Sequence, residues 1–110
     1  MLKVYRDGKV AVITANGFES RWYTCNQVDN LVFDPRIVWL IENDELDKIQ
    51  RGVNIEDYCD RVYGERDFWG DSTDLCVTWI DTDTEFRIVY EDGWEQVVLL
   101  PSRDFKVFKA

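Results

Sequence analysis

Asn54-Ile55-Glu56-Asp57-Tyr58-Cys59-Asp60-Arg61-Val62-Tyr63-Gly64 carries the clearest period in the chain. Its apolar residues, Ile55, Tyr58, Cys59, Val62 and Tyr63, fall at i, i+3, i+4, i+7 and i+8, the spacing of one helix face. Glu56, Asp57, Asp60 and Arg61 fill the other face. Asn54 suits an N-cap, and Gly64 suits the left-handed residue that stops a helix. Such a stripe has to be buried against something, and the segments around it decide what.

Upstream, Asp34-Pro35 reads as a helix start, with the carboxylate capping and proline at the first helical position. That helix is expected from Pro35 to about Asn43, burying Ile37, Leu40 and Ile41. A second short helix, about Glu45 to Arg51, places Leu46, Ile49 and Val53 at helical spacing, and Gly52 reads as its stop. The flanks are β-rich. Leu2–Tyr5 and Val10–Thr14 are joined by Asp7-Gly8, a hairpin signal. Leu75–Ile80 and Glu85–Tyr90 alternate, Asp92-Gly93 turns the chain into Trp94–Leu100, and Asp104–Lys109 reads as a last edge strand after Pro101. Strands at both ends with helices between argue an α+β fold in one domain over residues 1–110. The expected architecture is an antiparallel sheet of the N-terminal hairpin plus the C-terminal strands, packed with two to three short central helices.

The 110 residues are 45% hydrophobic and 15% aromatic, with five Trp, so a packed core is expected rather than disorder. The formal charge is −9. Between Glu42 and Glu85 there are 14 acids and four bases, net −10, while the rest of the chain is near neutral at +1. A field of that sign repels nucleic acid and anionic membranes and suits a partner with a basic surface. No apolar run approaches the roughly 20 residues of a membrane span. The N-terminus lacks a signal-peptide pattern, so a cytoplasmic protein is expected. There are three cysteines at no metal-type spacing and no histidine, which argues against a Cys/His zinc site. Cys59 and Cys76 read as buried reduced thiols. No cofactor is expected.

Catalytic signatures are sparse. Triads and dyads that rely on histidine are excluded, and no phosphate-binding glycine loop occurs. Asp71, Asp74, Asp81 and Asp83 are the acids from which a Mg²⁺ site and a metal-dependent enzyme would have to be built, although acids in turns between strands are ordinary loop chemistry. A nuclease-type Glu-x-Lys strand has only the weak counterparts Glu85-Phe86-Arg87 and Asp104-Phe105-Lys106. Cys25, with no histidine to act as a base, is a poor nucleophile. A non-enzymatic protein is expected.

Two polar, aromatic loops remain. In the first, Gly17 to Asn30, Arg21, Trp22, Thr24 and Asn26 would bind a partner, or a base or nucleotide by stacking and cation–π contact. The bland alternative is that this loop is anchored on the core. The second, Glu65 to Asp74, carries Phe68-Trp69-Gly70-Asp71, with Trp69 as a contact candidate. Glu56, Asp57 and Asp60 form an acidic helical face that either imitates the phosphate rows of DNA or is simply solvated.

Arg21-Trp22-Tyr23-Thr24-Cys25-Asn26, Leu31-Val32-Phe33-Asp34-Pro35-Arg36-Ile37-Val38 and Thr84-Glu85-Phe86-Arg87-Ile88 with Tyr90-Glu91-Asp92-Gly93 occur in this order. Together they resemble a group of small phage-encoded proteins with no assigned activity. Those carry a Trp-x-Thr-x-Asn loop, a short helix opening on Phe-Asp-Pro and a Thr-x-Phe-Arg-Ile hairpin. The resemblance implies a phage accessory protein acting in a bacterial cytoplasm, and no catalytic residue. The leading expectation is therefore a protein that binds and modulates or inhibits a host defence or nucleic-acid-processing protein through an acidic and aromatic surface. A small-ligand or nucleotide-sequestering protein using Arg21–Asn26 is the alternative, and a metal-dependent enzyme is third.

Overall fold

The computed structural model describes residues 2–43, 48–64, 72–99 and 108–110. The class is α+β, as the order of segments implies. Strands β1 (Tyr5–Arg6) and β2 (Lys9–Ala15) form the N-terminal hairpin, with Arg6 opposite Lys9. Asp7 (φ 53) and Gly8 (φ 77) are both left-handed, as a two-residue turn between right-twisted strands requires. Strand β3 (Leu75–Asp81) pairs antiparallel along the other edge of β2, Val10 opposite Ile80 and Ala15 opposite Leu75.

The remaining strands form a second sheet. Its centre is β4 (Glu85–Glu91), flanked antiparallel by β5 (Trp94–Leu99) and β6 (Phe108–Lys109). The expected single sheet is thus two: β3 joins the N-terminal hairpin, and β4, β5 and β6 form a sheet of their own. The reason lies in β2, where Val10-Ala11-Val12-Ile13-Thr14-Ala15 is buried at every position. An unbroken apolar strand needs cover on both faces. Ala11, Ile13 and Ala15 pack with Trp22, Leu31, Ile37, Val38, Ile55 and Cys59. Val10 and Val12 pack with Phe33, Phe86 and Phe108. These three rings meet at 5.5–6.1 Å between centroids, in edge and stacked contacts.

Among the described residues, four helices fill the middle. Helix α1 (Tyr23–Asn26) is a single turn inside the Gly17–Asn30 stretch that reads as a loop, and α2 (Asn30–Phe33) is a second turn that starts where that stretch ends. Helix α3 (Pro35–Asn43) has the expected bounds. The Asp34 Oδ1 accepts the backbone N–H of Arg36 (2.8 Å) and of Ile37 (3.2 Å), the cap the sequence announces. Ile37, Val38 and Leu40 are buried.

Helix α4 (Lys48–Tyr63) corrects the sequence reading, which breaks it at Gly52 and recaps it at Asn54. Gly52 is a buried interior position. A Cβ there would lie 2.6 Å from Thr73 Cγ2, so glycine serves the close approach of a 3₁₀ turn, Ser72–Asp74, against the helix. Ile49 and Val53, which fall at helical spacing, are both exposed, as is Val62. The buried stripe of α4 is Gly52, Ile55 and Cys59. Gly64 (φ +87) is the left-handed residue after it. Cys76 is half-buried, not buried, with its sulfur 3.5 Å from Thr14 Oγ1. Leu46 and most of the Asp104–Lys109 segment lie outside the described residues.

Candidate functional site

The Gly17–Asn30 stretch is held by one carboxylate that no sequence pattern singles out. Glu95, on β5, is buried. Its Oε1 accepts Ala15 N–H (2.9 Å). Its Oε2 accepts the N–H of Trp22 (2.8 Å), the N–H of Thr24 (3.1 Å) and the Thr24 hydroxyl (2.7 Å). Four donors converge on a charged acceptor, which offsets its removal from water. The second sheet thereby grips both the end of β2 and the start of α1.

This anchoring corrects part of the contact reading. Trp22 is fully buried, and its Nε1 donates to the Leu31 carbonyl (3.2 Å). A large ring whose N–H finds a carbonyl is a core residue. Asn26 is buried too, its amide donating to the Trp22 carbonyl (3.0 Å). Neither side chain is placed to touch a partner or stack on a base. Cys25 lies within α1, its thiol donating to the Trp22 carbonyl (3.3 Å). Arg21 and Thr24 do reach a cleft, between α1 and β4, lined also by Arg87 and Tyr90. Trp69, with Phe68, Gly70 and Asp71, lies outside the described residues.

The acidic helix face divides. Glu56 accepts the Ser72 hydroxyl (3.0 Å) and so ties α4 to the 3₁₀ turn. Asp57 and Asp60 instead line an open groove of about 870 Å³ between α3 and α4. Across it stand Arg36 and Trp39 of α3, the guanidinium 4.6 Å from the ring centroid. Trp39 is 49% exposed, a large ring held on the surface by a charged neighbour. Arg61 and Asn54 complete the α4 wall. The reading of the sequence leaves out Trp39, yet Arg36, Trp39 and Asn43 share an i, i+3, i+7 face, with Leu40 at its edge and the buried Ile37 turned away from it. A tryptophan on a polar helix face was the available signal.

Behind the groove sits a second buried carboxylate. Besides capping α3, Asp34 accepts the Tyr58 hydroxyl at 3.0 Å and 2.9 Å on its two oxygens, and the Tyr63 hydroxyl. Burial, and then donation to Asp34, pushes the Tyr58 hydroxyl up to about 12 and raises that of Tyr63 as well. Burial pushes the adjacent Cys59 thiol up to about 12. Groups so protected from ionising brace the start of α3 against the end of α4 and have little nucleophilic character.

Of the acids of the metal reading, Asp71 lies outside the described residues, and Asp74 and Asp81 stand at opposite ends of one strand. Asp74 precedes β3 and Asp81 ends it, roughly 23 Å apart at strand rise. Asp74 accepts Lys48 Nζ (3.2 Å) and the Ser20 hydroxyl (3.0 Å). Asp83 lies 4.0 Å from Lys109 Nζ. Among the described residues, no group of three or more His, Cys, Asp or Glu is placed to hold a metal ion. No helix among them is long and apolar enough to cross a membrane.

Comparisons with protein-family models, with curated proteins and with solved structures find no match to this chain. The likeness to phage-encoded proteins therefore rests on its three short motifs.

Proposed function

We propose that this is a phage accessory protein that works by binding, engaging a host protein in the bacterial cytoplasm through the α3–α4 groove. The single observation that carries the reading is the half-exposed Trp39 ring beside Asp57 and Asp60 in one open groove. An aromatic anchor bordered by charge is the composition of an interface hot spot. The partner that suits it brings a basic side chain to the two aspartates and an apolar one to Trp39. Arg36 and Arg61 in the same groove favour a partner that also carries an acid, and so a shaped protein surface over a uniform polycation. The negative overall charge weighs against direct binding of nucleic acid. The phage and host assignments are supported by the motif resemblance.

Affinity capture from bacterial lysate, run in parallel on wild type, Trp39→Ala and the Asp57→Lys/Asp60→Lys pair, tests the proposal. The expected result is one host protein retained by wild type and lost from both variants, with circular dichroism unchanged. Retention of the same protein by both variants overturns the groove as the interface.

A further inference from the structure

We infer that the cleft between α1 and β4 is a separate binding site for a small organic anion carried on a flat ring, a phosphate or carboxylate joined to an aromatic group. The cleft measures about 530 Å³, within the range of small-molecule sites. Two of its lining residues are arginines, Arg21 and Arg87, and one, Glu91, is an acid. The lining is thus net positive on a chain whose formal charge is −9. Two arginines on the lining of one cleft, against the prevailing field, are not what solubility requires.

Arg21 is also set in place before any ligand arrives. Its Nε donates to Thr24 Oγ1 (3.2 Å) and its Nη2 to the Thr24 carbonyl (3.1 Å). Its guanidinium lies 4.5 Å from the centroid of the Tyr90 ring. Thr24 is itself fixed by the buried Glu95. A guanidinium held by two hydrogen bonds and a ring face has already lost most of its rotamer freedom, so less is lost on gripping an anion. Tyr23 and Tyr90 supply aromatic wall, and β4 supplies Ile88. Charge recognises the anionic head and the tyrosines recognise the flat body, so neither a bare anion nor a neutral ring satisfies the site.

The test is calorimetric titration of the full chain with four probes: adenosine 5′-monophosphate, benzoate, adenosine and inorganic phosphate. The expected result is binding of at least one ring-bearing anion with Kd below about 1 mM, and at least tenfold weaker binding of adenosine and of inorganic phosphate. Which of the two ring anions binds tells a nucleotide source from a carboxylate source. Arg21→Lys and Arg87→Lys keep the charge but lose the planar fork, and each should weaken that binding about tenfold at unchanged Tm. If either variant lowers Tm, Tyr90→Leu, which removes ring and hydroxyl from the wall, should weaken binding by the same factor. No binding of either ring anion overturns the inference. So does equal binding of adenosine or phosphate, or unaltered binding by the folded variants. Trp39→Ala should bind the probe as wild type does, so failure here leaves the α3–α4 groove reading untouched.

Discussion

The Glu95 carboxylate accepts the backbone N–H of Trp22 at 2.8 Å, joining β5 to a turn 73 positions earlier in the chain. With the donors from Ala15 and Thr24 it closes the Gly17–Asn30 stretch onto the second sheet. A side-chain amide in its place turns an N–H toward donors that need an oxygen. Glu95→Gln should therefore lower stability by about 1–3 kcal/mol, the cost of a buried donor left unsatisfied. Glu91→Gln, at an exposed site, should change it by less than about 0.5 kcal/mol. Urea titrations of both variants check the contrast, and equal midpoints would remove Glu95 from the role of anchor.

Gly52→Ala separates helix propensity from packing. At an ordinary helix interior the exchange stabilises by roughly 1 kcal/mol. Here the new methyl meets Thr73 Cγ2 at 2.6 Å and Ser72 Oγ at 3.2 Å. Thr73 is β-branched and stiff, and overpacking costs about 1–3 kcal/mol, so a net loss is expected. Adding Thr73→Ser deletes the clashing methyl and should recover most of the stability. A stabilised single variant would show that the 3₁₀ turn yields freely.

Gly52 also marks where the sequence stops being legible. A glycine between two apolar periods reads as a stop, because its local signal is the same whether it ends a helix or admits a neighbour. The neighbour, Thr73, is 21 positions away and carries no mark of the contact. Trp22 has the same ambiguity: a tryptophan among polar residues looks exposed until Leu31 supplies a carbonyl for its N–H. What was legible is local. The Asp7-Gly8 turn, the Asp34 cap and the bounds of α3 follow from backbone preferences that act within a few residues. The site was legible only in part, since Asp57 and Asp60 fall where the helical period puts them. Their companion Trp39 lies on another helix, and Glu56 is diverted to Ser72.

The Asp34 cluster predicts how stability falls in alkali. The ordinary value is 9.0 for a cysteine thiol and 10.0 for a tyrosine hydroxyl, and in the fold Cys59 and Tyr58 rise to about 12. Tyr63 rises as well. The unfolded chain then loses these protons first, so it binds fewer than the native state as pH rises. Stability should be full below pH 9 and fall progressively toward pH 12. In Tyr58→Phe/Tyr63→Phe the fall above pH 10 should flatten. Stability at neutral pH should drop as well, because Asp34 loses two donors. Urea midpoints across the pH range check both. A double variant with the wild-type slope would show that the two hydroxyls ionise alike in both states.

The last prediction concerns charge on α4, where the choice of residues follows from their partners. Reversing Glu56 would break its contact with the Ser72 hydroxyl and disturb the turn packed on Gly52, mixing folding with recognition. Asp57 and Asp60 are the cleaner probes. They line the groove facing Trp39, and the buried stripe of the helix is Gly52, Ile55 and Cys59. Converting both to Lys changes the net charge by about four units and leaves that stripe intact. Tm should move little, since interactions of surface charges contribute about 0–1 kcal/mol each. If a basic partner enters the groove, association should slow at low ionic strength, and wild type and variant should converge as salt screens the field. Trp39→Ala should act differently, speeding dissociation at every salt concentration, because the lost contact is apolar. Stopped-flow or surface-binding kinetics against the captured host protein distinguish the two signatures. Identical kinetics for both variants and wild type would leave the acids as a solubility device and Trp39 as an idle surface ring, and the interface would have to be sought on another face.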